Sequence, residues 1–249
     1  MALTRFRMAA AGVWSSAATR ARKTDWAAVA GELVIVVLGI LIAFQLDRWA
    51  ENWRRSNEQR LYFQRLAEES RGNATALAVR QVEFIEDTAE VLGLARAIAD
   101  PAQRTQIASR PDYACGVLRL PGARLQTSAL EEGGDAGALE LLPDAQLRQL
   151  LHAAAATDRF ANLQLDYFRD TFQRFGEHID PHTIWRVDTA SGNFSCHMAL
   201  DALAQDREGV SLLGRVYRDR VRYTVIRSEQ IAAHLALAAR AQCLFDGTC

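Results

Sequence analysis

The chain has 249 residues, enough for one folded domain of ordinary size with an appendage. Its formal net charge of -1 removes any bulk electrostatic case for nucleic acid or an anionic substrate. Only 5 prolines and 15 glycines punctuate it, and the remainder, rich in Ala, Leu, Arg and Glu, favours helices over strands.

Residues 1–25 form a basic arm. Phe6, Ala10, Val13, Trp14 and Ala17 share one helical face, so the arm reads either as a short amphipathic helix on lipid or as a disordered tail.

From Trp26 to Leu46 the only ionisable residue is Glu32, and the run meets the length of about 20 apolar residues that a membrane helix needs. Trp26 marks one edge, and Trp49 and Trp53 mark the other, as expected of side chains that are apolar in body and wet at the N–H. No small-x-small cleavage site follows, which points to an uncleaved signal anchor. Gly31, Ile35, Gly39 and Ala43 share a face, and Gly39-x-x-x-Ala43 lets a second helix approach closely. Glu32 lies beside that face, and Gln45 lies near the opposite end. The two polar side chains either order helix contacts or snorkel to headgroups.

Orientation is read from two signals. Arg5, Arg7, Arg20, Arg22 and Lys23 precede the span, while Arg48, Arg54, Arg55 and Arg60 follow it among Asp47, Glu51 and Glu58; this asymmetry is weak. All four cysteines, Cys115, Cys196, Cys243 and Cys249, lie after the span without a paired CxxC zinc spacing. An even number on one side suits an oxidising compartment. The expectation is a bacterial inner-membrane protein with residues 1–25 in the cytoplasm, a transmembrane helix over 26–46 and residues 47–249 in the periplasm.

Beyond the span no glycine or proline occurs until Gly72, so the helix should continue as a stalk. Helical character runs on to Ile98, with Gly72 a kink position and Asp100-Pro101 the end. Residues 101–125 read as a loop or short helices bearing Cys115. Thr127–Glu132 starts a helix that Gly133-Gly134 should break. In LELLPDAQLRQLLHAAAATDRF, Asp144 caps a helix or supplies its first acid, and the helix continues through Tyr167 and Phe172 to Phe175. Residues 176–195 read as a second irregular segment around Pro181 and Gly192. A closing helix spans Gly209–Leu244, with Leu213, Val216, Tyr217, Val221, Ile231, Leu235 and Ala238 at three- and four-residue steps. The predicted fold is all-α: an N-terminal transmembrane helix continuing into a stalk, then an antiparallel helical bundle with two irregular, disulfide-bearing connections.

Four cysteines allow about three pairings. Gly247 permits the reversal that a small Cys243–Cys249 ring needs, and Cys115 and Cys196 sit in irregular segments that can meet at one end of a bundle. The predicted pairs are therefore Cys115–Cys196 and Cys243–Cys249.

Chemistry-bearing clusters are few. In GEHIDPH, His178, Asp180 and His182 lie near Glu177 and His197, but Pro181 keeps His178 and His182 off one helical face, so a polar loop is expected and no metal. Cys196-His197 reads as a disulfide cysteine beside a histidine, not as a thiol with its base. Arg215, Arg218, Arg220, Arg222 and Arg227, interleaved with Asp219 and Glu229, read as a solvated or salt-bridged face. No Walker A, GxSxG or GxGxxG motif is present, and no cofactor or catalytic residue is expected.

Gly31, Glu32, Leu33, Gly39–Ala43, Gln45 and Trp49 resemble the GEI-(apolar)-GILIA-x-Q-(x)-NW signature of a family of uncharacterised bacterial single-span membrane proteins. A second stretch, TSALEEGGDAGALELLPDAQLRQLL, is similar to that family's Asp-x-x-Leu-Arg segment at Asp144, Leu147 and Arg148. It departs where Gly133-Gly134 and residues 135–137 replace a compact Ser-Ser-Gly. The resemblance implies one N-terminal span and a helical extracytoplasmic domain, and it implies no activity. The function expected is that of a non-enzymatic, membrane-anchored interaction or scaffold protein. It would contact membrane lipid and form a homo-oligomer or bind a membrane-protein partner, without nucleic acid. A ligand-sensing bundle is the rival and would need a pocket between helices; an enzyme would need a cleft of perturbed acids.

Overall fold

A computed structural model describes residues 26–108, 116–120, 122–134, 142, 144–192 and 194–249. The basic arm, Cys115 and residues 135–137 lie outside these residues. The chain divides into two compact units, Met1–Asn57 and Glu58–Cys249.

Helix α1 is assigned over Trp26–Ala99 and passes Gly72 without a break. In the first unit its large apolar side chains are exposed on every side: Leu33 is 64%, Ile35 71%, Leu38 51% and Phe44 62% accessible. No described residue of the unit covers them, and this helix is long and apolar enough to cross a membrane.

In the second unit three helices form the core. They are α1 from Glu58 onward, α4 (Ala145–Ile179) and α6 (Arg207–Asp246). Their buried positions follow alternating steps of three and four, the 3.5-residue period of coiled-coil packing. On α6 the sequence is Val216, Arg220, Tyr223, Arg227, Gln230, His234, Leu237 and Ala241. Leu147, Leu151, Ala154, Asp158 and Ala161 keep the same steps on α4.

Two apolar clusters close the ends of this bundle. One joins Tyr62 and Leu66 of α1, Leu147 and Leu151 of α4, and Leu237 and Ala241 of α6. The other joins Leu94 and Ile98, Phe175 and Ile179, and Leu213 and Val216. The pairing shows that α1 and α4 run parallel and that α6 is antiparallel to both. The expected all-antiparallel bundle is therefore corrected. A parallel neighbour requires the chain to return along the bundle, about 50 Å at about 1.5 Å per residue. Residues 100–144 make that return, through α2 (Pro101–Ala108), a 3-10 turn (Gly116–Leu118) and α3 (Ser128–Gly134).

Hydrogen bonds with helix α1 fix the returning segment. Arg104 of α2 donates to the α1 carbonyls of Ala97 and Ile98 at 3.0 and 2.7 Å, which satisfies C-terminal groups left without helical partners. Asn73 pairs with the backbone of Gln126 in both directions, at 2.7 and 2.9 Å. Buried Glu69 accepts from the Ser128 hydroxyl and from the N–H groups of Ala129 and Leu130, so a carboxylate of α1 caps α3. Tyr62 donates its hydroxyl to the Ala129 carbonyl at 3.0 Å. Gly133 does not break α3 where expected, since α3 includes Gly133 and Gly134; a Cβ on Gly133 would collide with the Tyr62 hydroxyl and Leu151. The residue is small because the helix packs closely there.

The described residues of the segment expected to be irregular at 176–195 fall mostly in regular elements. Helix α4 runs on to Ile179, and Asp180–His182 form a 3-10 turn. A β-hairpin follows, with β1 (Thr183–Val187) and β2 (Phe194–Met198) antiparallel and Trp185 opposite Cys196. The turn is held by Asp188, which accepts from the Ala190 N–H and the Ser191 hydroxyl, and by Gly192 at φ 70°. A short helix α5 (Leu200–Leu203) leads into α6.

Both long C-terminal helices are capped by aspartate. Asp144 accepts from the Leu147 N–H at 2.6 Å, and Asp206 accepts from Glu208 and Gly209. Asp144 also receives two hydrogen bonds from Arg240 of α6, which do most to hold its carboxyl below the usual range, with the Leu147 N–H adding. A depressed folded-state pKa adds stability above the unfolded value of about 4, and that contribution is lost as pH falls through the folded value. Asp144→Asn keeps a capping oxygen and removes the charge. It should lower the melting temperature at pH 7, and the difference from wild type should close below about pH 4 in thermal scans. A pH-independent difference would assign the effect to packing.

Helix α6 ends at Gly247, φ 69°, where Gly247 and Thr248 donate back to Leu244 and Cys243 in the glycine-terminated C-cap pattern.

Candidate functional site

The small-residue face of the apolar run is bare. Gly31, Glu32, Ile35, Gly39, Ala43 and Gln45 are all exposed, and open space lies where a Cβ of Gly31 or Gly39 would stand. Trp26, Trp49 and Trp53 are 76%, 68% and 63% accessible. Trp26 and Trp49 lie about 35 Å apart along the helix, a separation comparable to an about 30 Å hydrocarbon layer with its interfaces.

The disulfide positions are met in part. Cys243 and Cys249 are bonded, with Cα atoms 5.4 Å apart, across the reversal at Gly247. Cys196 is also disulfide-bonded, buried on β2, and its expected partner Cys115 lies outside the described residues. Val117, two residues after Cys115, packs in the same core cluster as Cys196.

The middle of the second unit holds a feature absent from the sequence reading. Between the apolar ends, the helical seam is polar. Asp158 of α4 is nearly buried; His234 Nε2 lies 3.2 Å from both its oxygens, and Gln230 Nε2 donates to Oδ1 at 3.0 Å. One turn along, Arg227 donates to the Tyr223 hydroxyl at 3.2 Å, and burial raises the pKa of that phenol. Further along, Arg220 is 0% accessible. Its Nη2 donates to the carbonyls of Val117 and Arg119 at 3.2 and 2.6 Å, and its guanidinium lies 5.0 Å from the Phe84 ring centre. Burial lowers the Arg220 pKa to about 10, against the opposing pull of Asp87 and Glu90, so the group stays charged at neutral pH. Burial also raises the pKa of Asp87, with Arg119 at 3.7 Å acting against it.

The basic run is thereby corrected. Arg220 and Arg227 are interior, while Arg215, Arg218 and Arg222 remain on the surface. The GEHIDPH segment is not a loop: His178 belongs to α4 and contacts the α6 cap Asp206 at 2.9 Å. Among the described residues no group of three or more His, Cys, Asp or Glu is placed to hold a metal. The Asp158–His234 pair has the residue types of an acid–base relay, yet His234 is 0% accessible and no hydroxyl or thiol is bonded to it among the described residues. What the seam can do is specify which helix layers meet, because misalignment would leave these polar groups against apolar ones. Comparison with models of protein families, with curated proteins and with solved structures finds no match to this chain.

Proposed function

We propose that the protein is a single-pass, inner-membrane interaction protein that self-associates or binds a membrane partner through its span, and that it has no catalytic role. The observation that carries this reading is the small-residue face Gly31–Ile35–Gly39–Ala43, exposed and unfilled in the single chain. In lipid, such faces associate because close backbone approach multiplies packing contacts. Gly39→Leu should weaken the oligomer measured in mild detergent at least several-fold, since a bulky side chain separates the backbones. An unchanged oligomer would reject the span as the contact and leave Glu32 and Gln45 as headgroup ligands.

The orientation proposed is a cytoplasmic N-terminus and a periplasmic Glu58–Cys249 unit. Its support is that no described cysteine is free. A reporter active only in the cytoplasm, fused after Cys249, should be silent, and non-reducing peptide mapping should return Cys115–Cys196 beside Cys243–Cys249. An active reporter together with free thiols would reverse the orientation.

A further inference from the structure

Helices α4 and α6 leave a groove of about 430 Å³ on the surface of the second unit, within the size range of small-molecule sites. Its floor is apolar and buried, formed by Phe168, Tyr223 and Ile226. Tyr167 stands at its edge and is 73% accessible, a large aromatic side chain left in water beside an apolar surface. The charged residues of the lining are Arg218, Asp219 and Arg222.

These charges do not cancel. Arg218 donates from Nε and Nη2 to one oxygen of Asp219, at 2.9 and 2.8 Å, so that pair is internally neutral. Arg222 takes part in no ion pair among the described residues. The carboxylates on the neighbouring stretch of α4 are already engaged: Asp166 pairs with Arg169, and Asp170 with Arg174. The groove therefore combines an apolar floor, an exposed aromatic edge and one uncompensated positive charge at the rim, that of Arg222.

The geometry points to a binding site for a small monoanion carrying an apolar body, a carboxylate on an aromatic or aliphatic group. The guanidinium of Arg222 takes the carboxylate, in the two-pronged geometry that distinguishes arginine from lysine. The body lies over Phe168 and Ile226, and Tyr167 folds down on it, losing only two side-chain torsions. A bare inorganic anion would satisfy Arg222 and leave the floor in water. A neutral aromatic compound would bury apolar area and leave the cation unmatched. This inference stands apart from the reading of the span, and either can fail without the other.

The test uses the full chain in nanodiscs of zwitterionic lipid, with 4-phenylbutyrate as probe and empty nanodiscs subtracted, read by saturation-transfer NMR and calorimetry. Saturable 1:1 binding is expected. Arg222→Gln should weaken it about tenfold, and the uncharged amide of the probe should bind about tenfold more weakly to the wild type. Tyr167→Ala, on the other helix, should weaken binding by losing the aromatic cover. Both positions are exposed, so neither variant disturbs the core. Absence of saturable binding would overturn the proposal. So would an affinity unchanged in Arg222→Gln, or displacement by inorganic phosphate at equal concentration; the last would reduce the site to a surface anion contact.

Discussion

Replacing Arg220 with methionine should lower the free energy of unfolding of the second unit by about 3–5 kcal/mol, the cost of removing one partner from a buried charged network. Methionine fills most of the volume, so the loss isolates the guanidinium. That group stitches together three segments distant in sequence. It donates to Val117 and Arg119 on the returning chain, lies against the Phe84 ring of α1, and sits within the field of Asp87 and Glu90. Without it the two carbonyls lose their donor. Asp87, whose pKa burial already raises, keeps only Arg119 as a described counterion at 3.7 Å. Arg220→Lys should recover part of the loss, because an ammonium restores charge but cannot fork between two carbonyls. Denaturant unfolding followed by circular dichroism measures the difference. A loss below about 1 kcal/mol would mean that water replaces the guanidinium and that the layer is hydrated.

The same residue shows where sequence reading succeeds and where it stops. Signals carried by local chemistry were legible. The apolar run with its tryptophans, the cap at Asp144, the glycine reversal at Gly247 and the closing helix, found at Arg207–Asp246, each depend on residues within a turn or two. The direction of α4 was not legible, because nothing local states that residues 100–144 travel back along α1; that follows from Asn73, Glu69 and Tyr62 holding the return in place. The hairpin is not legible in the sequence although TIWRV carries β-branched and aromatic residues, since strands of five residues compete poorly with the pull of Pro181 and Gly192 toward a loop. By composition Arg220 and Arg227 group with their basic neighbours. The steps 216, 220, 223, 227, 230, 234, 237, 241 alternate four and three, and that period places both arginines, Gln230 and His234 on the buried seam. The groove between α4 and α6 has no sequence signature, because its lining comes from two helices about 50 residues apart in the chain.

Asp158 provides the second large expected effect, and its sign depends on how it is removed. Asp158→Leu alone should destabilise the second unit by about 3 kcal/mol or more, because the Nε2 of His234 and the amide of Gln230 remain buried without their shared acceptor. The triple change Asp158→Leu, Gln230→Leu and His234→Leu removes the polar groups together and fills the layer with apolar volume. Its stability should equal or exceed wild type, by up to about 4 kcal/mol, since the desolvation cost of the network disappears with it. What the triple variant should lose is definition. An apolar layer fits neighbouring leucine layers in more than one register, whereas Asp158 finds its partners only when α4 and α6 are aligned as observed. The readouts separate the two roles. Unfolding free energy should rise or hold, while dispersion of amide and methyl resonances in the seam should narrow or double as alternative packings become populated. A triple variant less stable than wild type by more than about 1 kcal/mol would show that the layer contributes net stability and would remove register as the reason the seam is polar.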